Sequence, residues 1–163
     1  MVVKNQKPAS KAQIGWREWV LIPELSSVPM KAKVDTGAQT STLHAFDLSI
    51  TDRDGSPWVE FEVHPLQRSR ALRSEVAFPV HSFKRVRSST GHAQRRPVIR
   101  TPIKIGAHVY KVDITLTSRD EMGFRMLLGR AALRRRFLVD PGRSYLFPKP
   151  EAADRPRRRA KKS

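Results

Sequence analysis

The stretch Met30-Lys31-Ala32-Lys33-Val34-Asp35-Thr36-Gly37-Ala38 decides how this chain is read. Met30, Ala32 and Val34 alternate with Lys31 and Lys33, so an extended backbone here has one apolar face and one charged face. That is a strand with one side buried. It runs straight into Asp35-Thr36-Gly37, where glycine permits a tight turn and a carboxylate is held outward from a rigid element. The tripeptide alone decides little, since ordinary residue frequencies give it by chance in roughly one chain in thirty of this length. A strand ending in a turn in which Asp35 only accepts backbone N–H bonds would read the same way.

Outward from that turn, short alternating or β-branched runs separated by turn residues continue on both sides, which predicts an all-β domain over residues 14–150. Residues 16–22 form a first run closed by Pro23, and residues 41–45 lead out of the turn. Residues 58–63 alternate cleanly after Asp52-Arg53-Asp54-Gly55 and pair with the preceding run as a hairpin. Residues 85–87 and 97–105 flank a polar tip, Ser88-Ser89-Thr90-Gly91-His92, and residues 109–116 follow a Gly106-Ala107 turn. Residues 124–128 end in Gly129. Ala131, Ala132 and Leu133 among arginines then predict one helix over residues 130–136, followed by runs at 137–139 and 145–147.

The chain has 163 residues, enough for one domain with its own core, and 39% of them are hydrophobic. It has no cysteine, which excludes a disulfide framework, a thiolate zinc site and a cysteine nucleophile. Formal charge is +17; the first thirteen residues hold three lysines and residues 151–163 a net +4, which leaves +10 on the part between. Residues 1–13 read as a flexible basic arm and 151–163 as a disordered basic tail. Such a field attracts anionic partners, an acidic peptide, a ribosomal protein or RNA among them. The polar, lysine-bearing start lacks a secretory leader's apolar run, and no later run would span a bilayer, so a cytoplasmic location with no membrane contact is expected.

A second element lies downstream: Met126-Leu127-Leu128-Gly129-Arg130 before the predicted helix. Together with Gly15-Trp16-Arg17-Glu18, Lys31 to Ala38, Thr40-Ser41, Leu43-His44-Ala45, Arg96-Pro97-Val98-Ile99, Leu116-Thr117 and Arg119-Asp120, it resembles the bacterial retropepsin-like aspartic peptidases. That family is often labelled ATP-dependent zinc protease, and its members are similar to proteins found beside glutamate ligases that modify ribosomal protein. The resemblance implies a closed retropepsin-like barrel with one short C-terminal helix and a homodimer. Each subunit would donate Asp35 to peptide-bond hydrolysis. Thr36 would brace the two turns, Gly37 and Ala38 would complete them, and Leu127, Leu128 and Gly129 would pack behind. A hairpin flap is expected at Arg87, Ser88, Ser89, Thr90 and Gly91, with Arg85, Arg87, Arg95 and Arg96 facing an acidic substrate. Two features depart from the viral pattern. Gln39 stands where an acid often pairs with the arginine equivalent to Arg130, leaving Asp140 or Glu121 to take that role, and the interval between Gly37 and Gly129 is longer.

Other chemistries find less support. His44, His64, His81, His92 and His108 are scattered without zinc-ligand spacing, and no Gly-rich Lys-Ser/Thr loop could cradle ATP, so no metal and no cofactor are expected. His44 is read as a polar neighbour of the site. Asp52-Arg53-Asp54-Gly55 lacks the later ligands of a calcium loop. Ser41, Ser88 and Ser89 lack a nucleophile elbow. Trp16, Trp19, Trp58 and Phe61 suit core or strand positions better than a base-stacking platform. The reading from a different class is a basic, non-catalytic barrel that binds ribosome, RNA or an acidic protein.

Overall fold

The computed structural model describes residues 10–67, 71–87, 90–118 and 123–151. Within them the strands are β1 (Ala12–Val20), β2 (Met30–Val34), β3 (Ser41–His44), β4 (Phe46–Arg53), β5 (Ser56–Val63), β6 (Ser74–Pro79), β7 (Ser82–Arg87), β8 (Ala93–Ile105), β9 (His108–Thr117), β10 (Met126–Leu128) and β11 (Phe137–Ser144). One short helix, α1 (Arg130–Leu133), follows β10. The fold is all-β, as the alternation requires.

Eight strands form one sheet in the order β11-β1-β2-β10-β3-β9-β8-β7. The sheet rolls far enough to meet itself. Just past β1, Leu21 and Lys104 of β8 exchange two backbone hydrogen bonds of 3.0 and 2.8 Å, which joins the two sides of the roll. Inward-facing Ile14, Met30, Leu43, Ile103, Ile114, Met126 and Leu128 are fully buried and fill its interior. In β2 the alternation works as read: Met30, Ala32 and Val34 are buried, while Lys33 is exposed.

Residues 46–79 add a three-stranded sheet, β4-β5-β6. Its first hairpin turns on Asp54 and Gly55, both with positive φ (53° and 82°), the geometry whose twist matches two antiparallel strands. Asp52 Oδ1 accepts the Gly55 N–H at 3.0 Å. Val59, Phe61 and Val63 are buried and join the main core.

Besides strand ends that shift by a few residues, such as β1 and the start of β8, three elements differ from the sequence reading. The helix stops at Leu133, because Arg134 leaves helical geometry and Arg135 takes a positive φ of 68°. Residues 145–147 are no strand; β11 already spans Phe137–Ser144, parallel to β1, and Leu146 and Phe147 instead give their N–H groups to Glu18. β6 was not anticipated at all. Glu18 is completely buried and accepts N–H groups from Gly15, Leu146 and Phe147, tying the chain's last described segment to β1. Among the described residues no helix is long and apolar enough to cross a membrane.

Candidate active site

β10 lies between β2 and β3, parallel to the first and antiparallel to the second. The turn carrying Asp35 connects those two strands, so β10 sits directly behind it. The Asp35 N–H donates to Leu128 O at 2.9 Å, fixing the root of the turn. Leu128 is buried and Leu127 half-buried. Gly129 follows with its N–H on Ser41 Oγ at 3.1 Å, and a Cβ built there would fall 2.5 Å from the Thr40 carbonyl carbon. Glycine is therefore demanded by close packing of two backbones.

Asp35 is partly exposed at the mouth of the turn, with Thr36 and Gly37 exposed beside it. Its Oδ1 accepts the Gly37 N–H at 3.0 Å. No other hydrogen bond to the carboxylate occurs among the described residues, leaving Oδ2 available to a substrate or water. Gly37 does not adopt a positive φ. Its value is spatial, since a Cβ would stand 3.1 Å from Asp35 Oδ1.

Arg130 holds the turn from below. Its Nη1 donates to Thr36 O at 2.9 Å and to Gly37 O at 3.1 Å, and Nη2 reaches Gln39 Oε1 at 3.5 Å. The start of α1 contributes further: Arg130 N–H donates to Ala38 O at 2.8 Å and Ala131 N–H to Gln39 O at 3.0 Å. These are N–H groups that a helix start leaves without internal partners, and the turn's carbonyls satisfy them. The expected acid partner of Arg130 is thus replaced by carbonyls. Asp140 is engaged with the Gly142 N–H, and Glu121 lies outside the described residues.

Facing this turn is the β7-β8 hairpin. Lys84 Nζ donates to Thr40 Oγ1 at 2.7 Å, bringing the hairpin's stem against the end of the Asp35 turn. Of the flap residues, Arg87 ends β7, Thr90 and Gly91 are exposed at the tip, and Ser88 and Ser89 lie outside the described residues. Arg85 stands directly opposite Arg95, and Lys84 opposite Arg96. Like charges opposite one another destabilise a strand pair.

Ser41, Lys84 and Arg130 all touch this arrangement. Sequence reading gave Arg130 an acid partner rather than the turn's carbonyls, and placed neither Ser41 nor Lys84 at the site. Ser41 carried a usable signal, a hydroxyl at a position that alternation buries. His44 ends β3, three residues beyond Ser41; it is buried and stacks at 4.1 Å on Phe46, which stacks at 3.8 Å on His64. His64 Nε2 meets Glu62 Oε2 at 3.0 Å. Among the described residues no three His, Asp or Glu side chains gather as a metal ion would require.

A strand ending in Asp-Thr-Gly, backed by a second strand threaded between its neighbours on a rolled sheet, defines the retropepsin-like class. Residues 13–150 match the RimB-like family, described as retropepsin-like aspartic endopeptidase RimB, and the chain belongs to that family. Curated relatives include a probable alpha-L-glutamate ligase of Shewanella halifaxensis, 43% identical over 136 residues, and one of Desulfotalea psychrophila, 45% identical over 132. These matches cover 83% and 81% of this chain but only 30% and 28% of those proteins. The crystal structure of a protein of unknown function from Legionella pneumophila is 25% identical with a TM-score of 0.68, covering 84% of this chain and 98% of that one.

Proposed function

We propose that the chain is an aspartic endopeptidase of the cytoplasm that acts as a homodimer on acidic polypeptides. The observation that carries this is Asp35 itself, partly exposed on a turn braced by Leu128 and Arg130 while its Oδ2 meets no donor among the described residues. The sequence holds a single Asp-Thr-Gly, yet hydrolysis of a peptide needs both a base and an acid. A second copy supplies the other carboxylate across a two-fold axis. Two carboxylates about 3 Å apart cannot both ionise, so the pair shares one proton.

One Asp35 then takes a proton from water as its oxygen bonds to the peptide carbonyl carbon, and the other gives its proton to the carbonyl oxygen. Breakage of the C–N bond follows, with a proton passing to the departing amine. Arg130 keeps the turn rigid throughout, and exposed Gly37 lets the substrate backbone approach.

The acidic substrate class is supported by the hairpin beside the turn, which opposes Arg85 to Arg95 and Lys84 to Arg96. A substrate rich in carboxylates would relieve that repulsion. Relatives named as probable glutamate ligases carry a matching segment as part of a longer chain, which fits a peptidase working on glutamate-bearing proteins.

Asp35→Asn tests the reading. It keeps size and the Gly37 contact but cannot exchange a proton between base and acid roles. Turnover on a denatured-protein substrate should fall by roughly a thousandfold or more while the fold survives. A folded Asp35→Asn protein that cleaves as well as the wild type would leave the Gly37 contact as the residue's purpose. The chain would then be a binding barrel.

A further inference from the structure

Cations gather with almost no acid around the outer side of β8 and β9 and the segment after α1. Arg100 and Lys104 alternate in β8 with buried Ile99, Thr101 and Ile103, and Lys111 and Asp113 stand beside them on β9, opposite Pro102 and Arg100. Arg134, Arg135 and Arg136 are exposed just beyond α1. One open hollow of about 610 Å³ is lined by Ala131 and these three arginines. A second, of about 340 Å³, is lined by Arg100, Lys111, Val112, Asp113, Ala131 and Ala132. The two hollows adjoin at Ala131 and together make a basic groove.

Asp113 is the single acid lining that groove, and Arg100 engages both its oxygens at 2.7 and 3.1 Å. The bond holds its carboxyl below the usual range. Arg136 lies 3.9 Å over the Tyr110 ring, and Tyr110 donates to Ala132 O at 2.7 Å, so this guanidinium is positioned by its support.

We propose that this groove binds RNA through its phosphate backbone. Arg134, Arg135 and Arg136 carry planar forks that match pairs of phosphate oxygens and Lys111 adds a fourth charge, while the fork of Arg100 is taken by Asp113. A protein partner would need an apolar anchor in a recess, and the groove offers only Ala131, Ala132 and a Val112 that is 6% exposed. Strand addition by an extended peptide uses an open sheet edge, whereas Arg100 and Lys111 lie on strands paired on both sides. A phosphodiester strand needs neither feature. No unstacked aromatic ring lines the groove, so it holds backbone without reading bases. The Ala131 N–H donates to Gln39 O, placing the groove one turn of chain from Asp35. Binding there brings the Asp35 turn to proteins already carried on RNA.

The test is fluorescence anisotropy of a labelled, mixed-sequence single-stranded RNA with the full chain, titrated at several salt concentrations. The triple variant Arg134→Gln, Arg135→Gln, Arg136→Gln should lose about tenfold or more in affinity, with the slope of log K against log salt falling by about two. A control with equal charge removed elsewhere, Arg73→Gln, Arg143→Gln, Lys149→Gln, should lose much less, and cleavage of a neutral peptide by the first variant should be unchanged. Absent wild-type binding, or equal losses in both variants, overturns the groove. So does an acidic peptide that outcompetes the RNA and is released by the same three substitutions, which would make the partner a protein.

Discussion

Gly129 shows how narrowly the Asp35 turn is built. The Thr40 backbone leaves no room for a side chain at Gly129, with oxygen at 2.6 Å and nitrogen at 2.9 Å from a constructed Cβ. Backbone cannot swing aside as the end of a side chain can, so Gly129→Ala must push β10 away from β3 or twist both. Overpacking of this kind costs about 3 kcal/mol, or roughly 6–12 °C of melting temperature for a chain this long. Calorimetry of the variant checks it, and activity should fall more than stability because the displaced strand is the one that holds the Asp35 N–H. An unchanged melting temperature would mean that β3 and β10 are not in backbone contact at this point. The neighbouring Ser41 hydroxyl, 1% exposed, works with it by receiving the Gly129 N–H.

Among the elements, the β7-β8 hairpin makes opposite demands on stability and on recognition. Arg85→Gln, Arg87→Gln, Arg95→Gln and Arg96→Gln together remove the like-charge oppositions, so the protein should melt higher. The same protein should show KM for an acidic peptide raised on the order of tenfold, with kcat and the KM of a neutral peptide little changed. Steady-state kinetics on the two peptides decides it. An equal rise for both would take substrate selection away from the hairpin. This hairpin was legible in the sequence because a polar tip separates two runs, and the β4-β5 hairpin because Asp54-Gly55 is a turn signal in its own right. β6 was not, because its outward positions Ala77 and Pro79 look like loop and its alternation makes sense only against β5. Helix length failed for a related reason: three arginines suit a helix by propensity, but Phe137 must reach the parallel pairing with Ala12 of β1, and the chain turns early to deliver it. At the site, the apolar run before Gly129 marked a strand in the sequence, and in the structure Leu128 O receives the Asp35 N–H. The hold of Arg130 on two carbonyls was hidden, since a partner without a side chain leaves no trace in sequence.

At the scale of the whole molecule, the proposed chemistry needs two chains of 18.6 kDa. Sedimentation at micromolar concentration should give a dimer, or a monomer that dimerises with a transition-state mimic of the peptide. Asp35→Asn should sediment as a dimer at least as stable as the wild type, because it removes the cost of holding two acidic groups together with one shared proton. A strict monomer that still cleaves peptides would remove the shared proton from the mechanism.

The threading of β10 between β2 and β3 also fixes a schedule. Gly37 and the Arg130 that clamps it lie 93 residues apart, and contacts so distant in sequence form late. During synthesis from the N-terminus, Asp35 leaves the ribosome long before the strand that backs it, and domains fold as units once their parts are present. A nascent chain therefore carries an unorganised aspartate. On the proposed chemistry, cleavage of neighbouring proteins would be withheld until nearly the whole domain has been made.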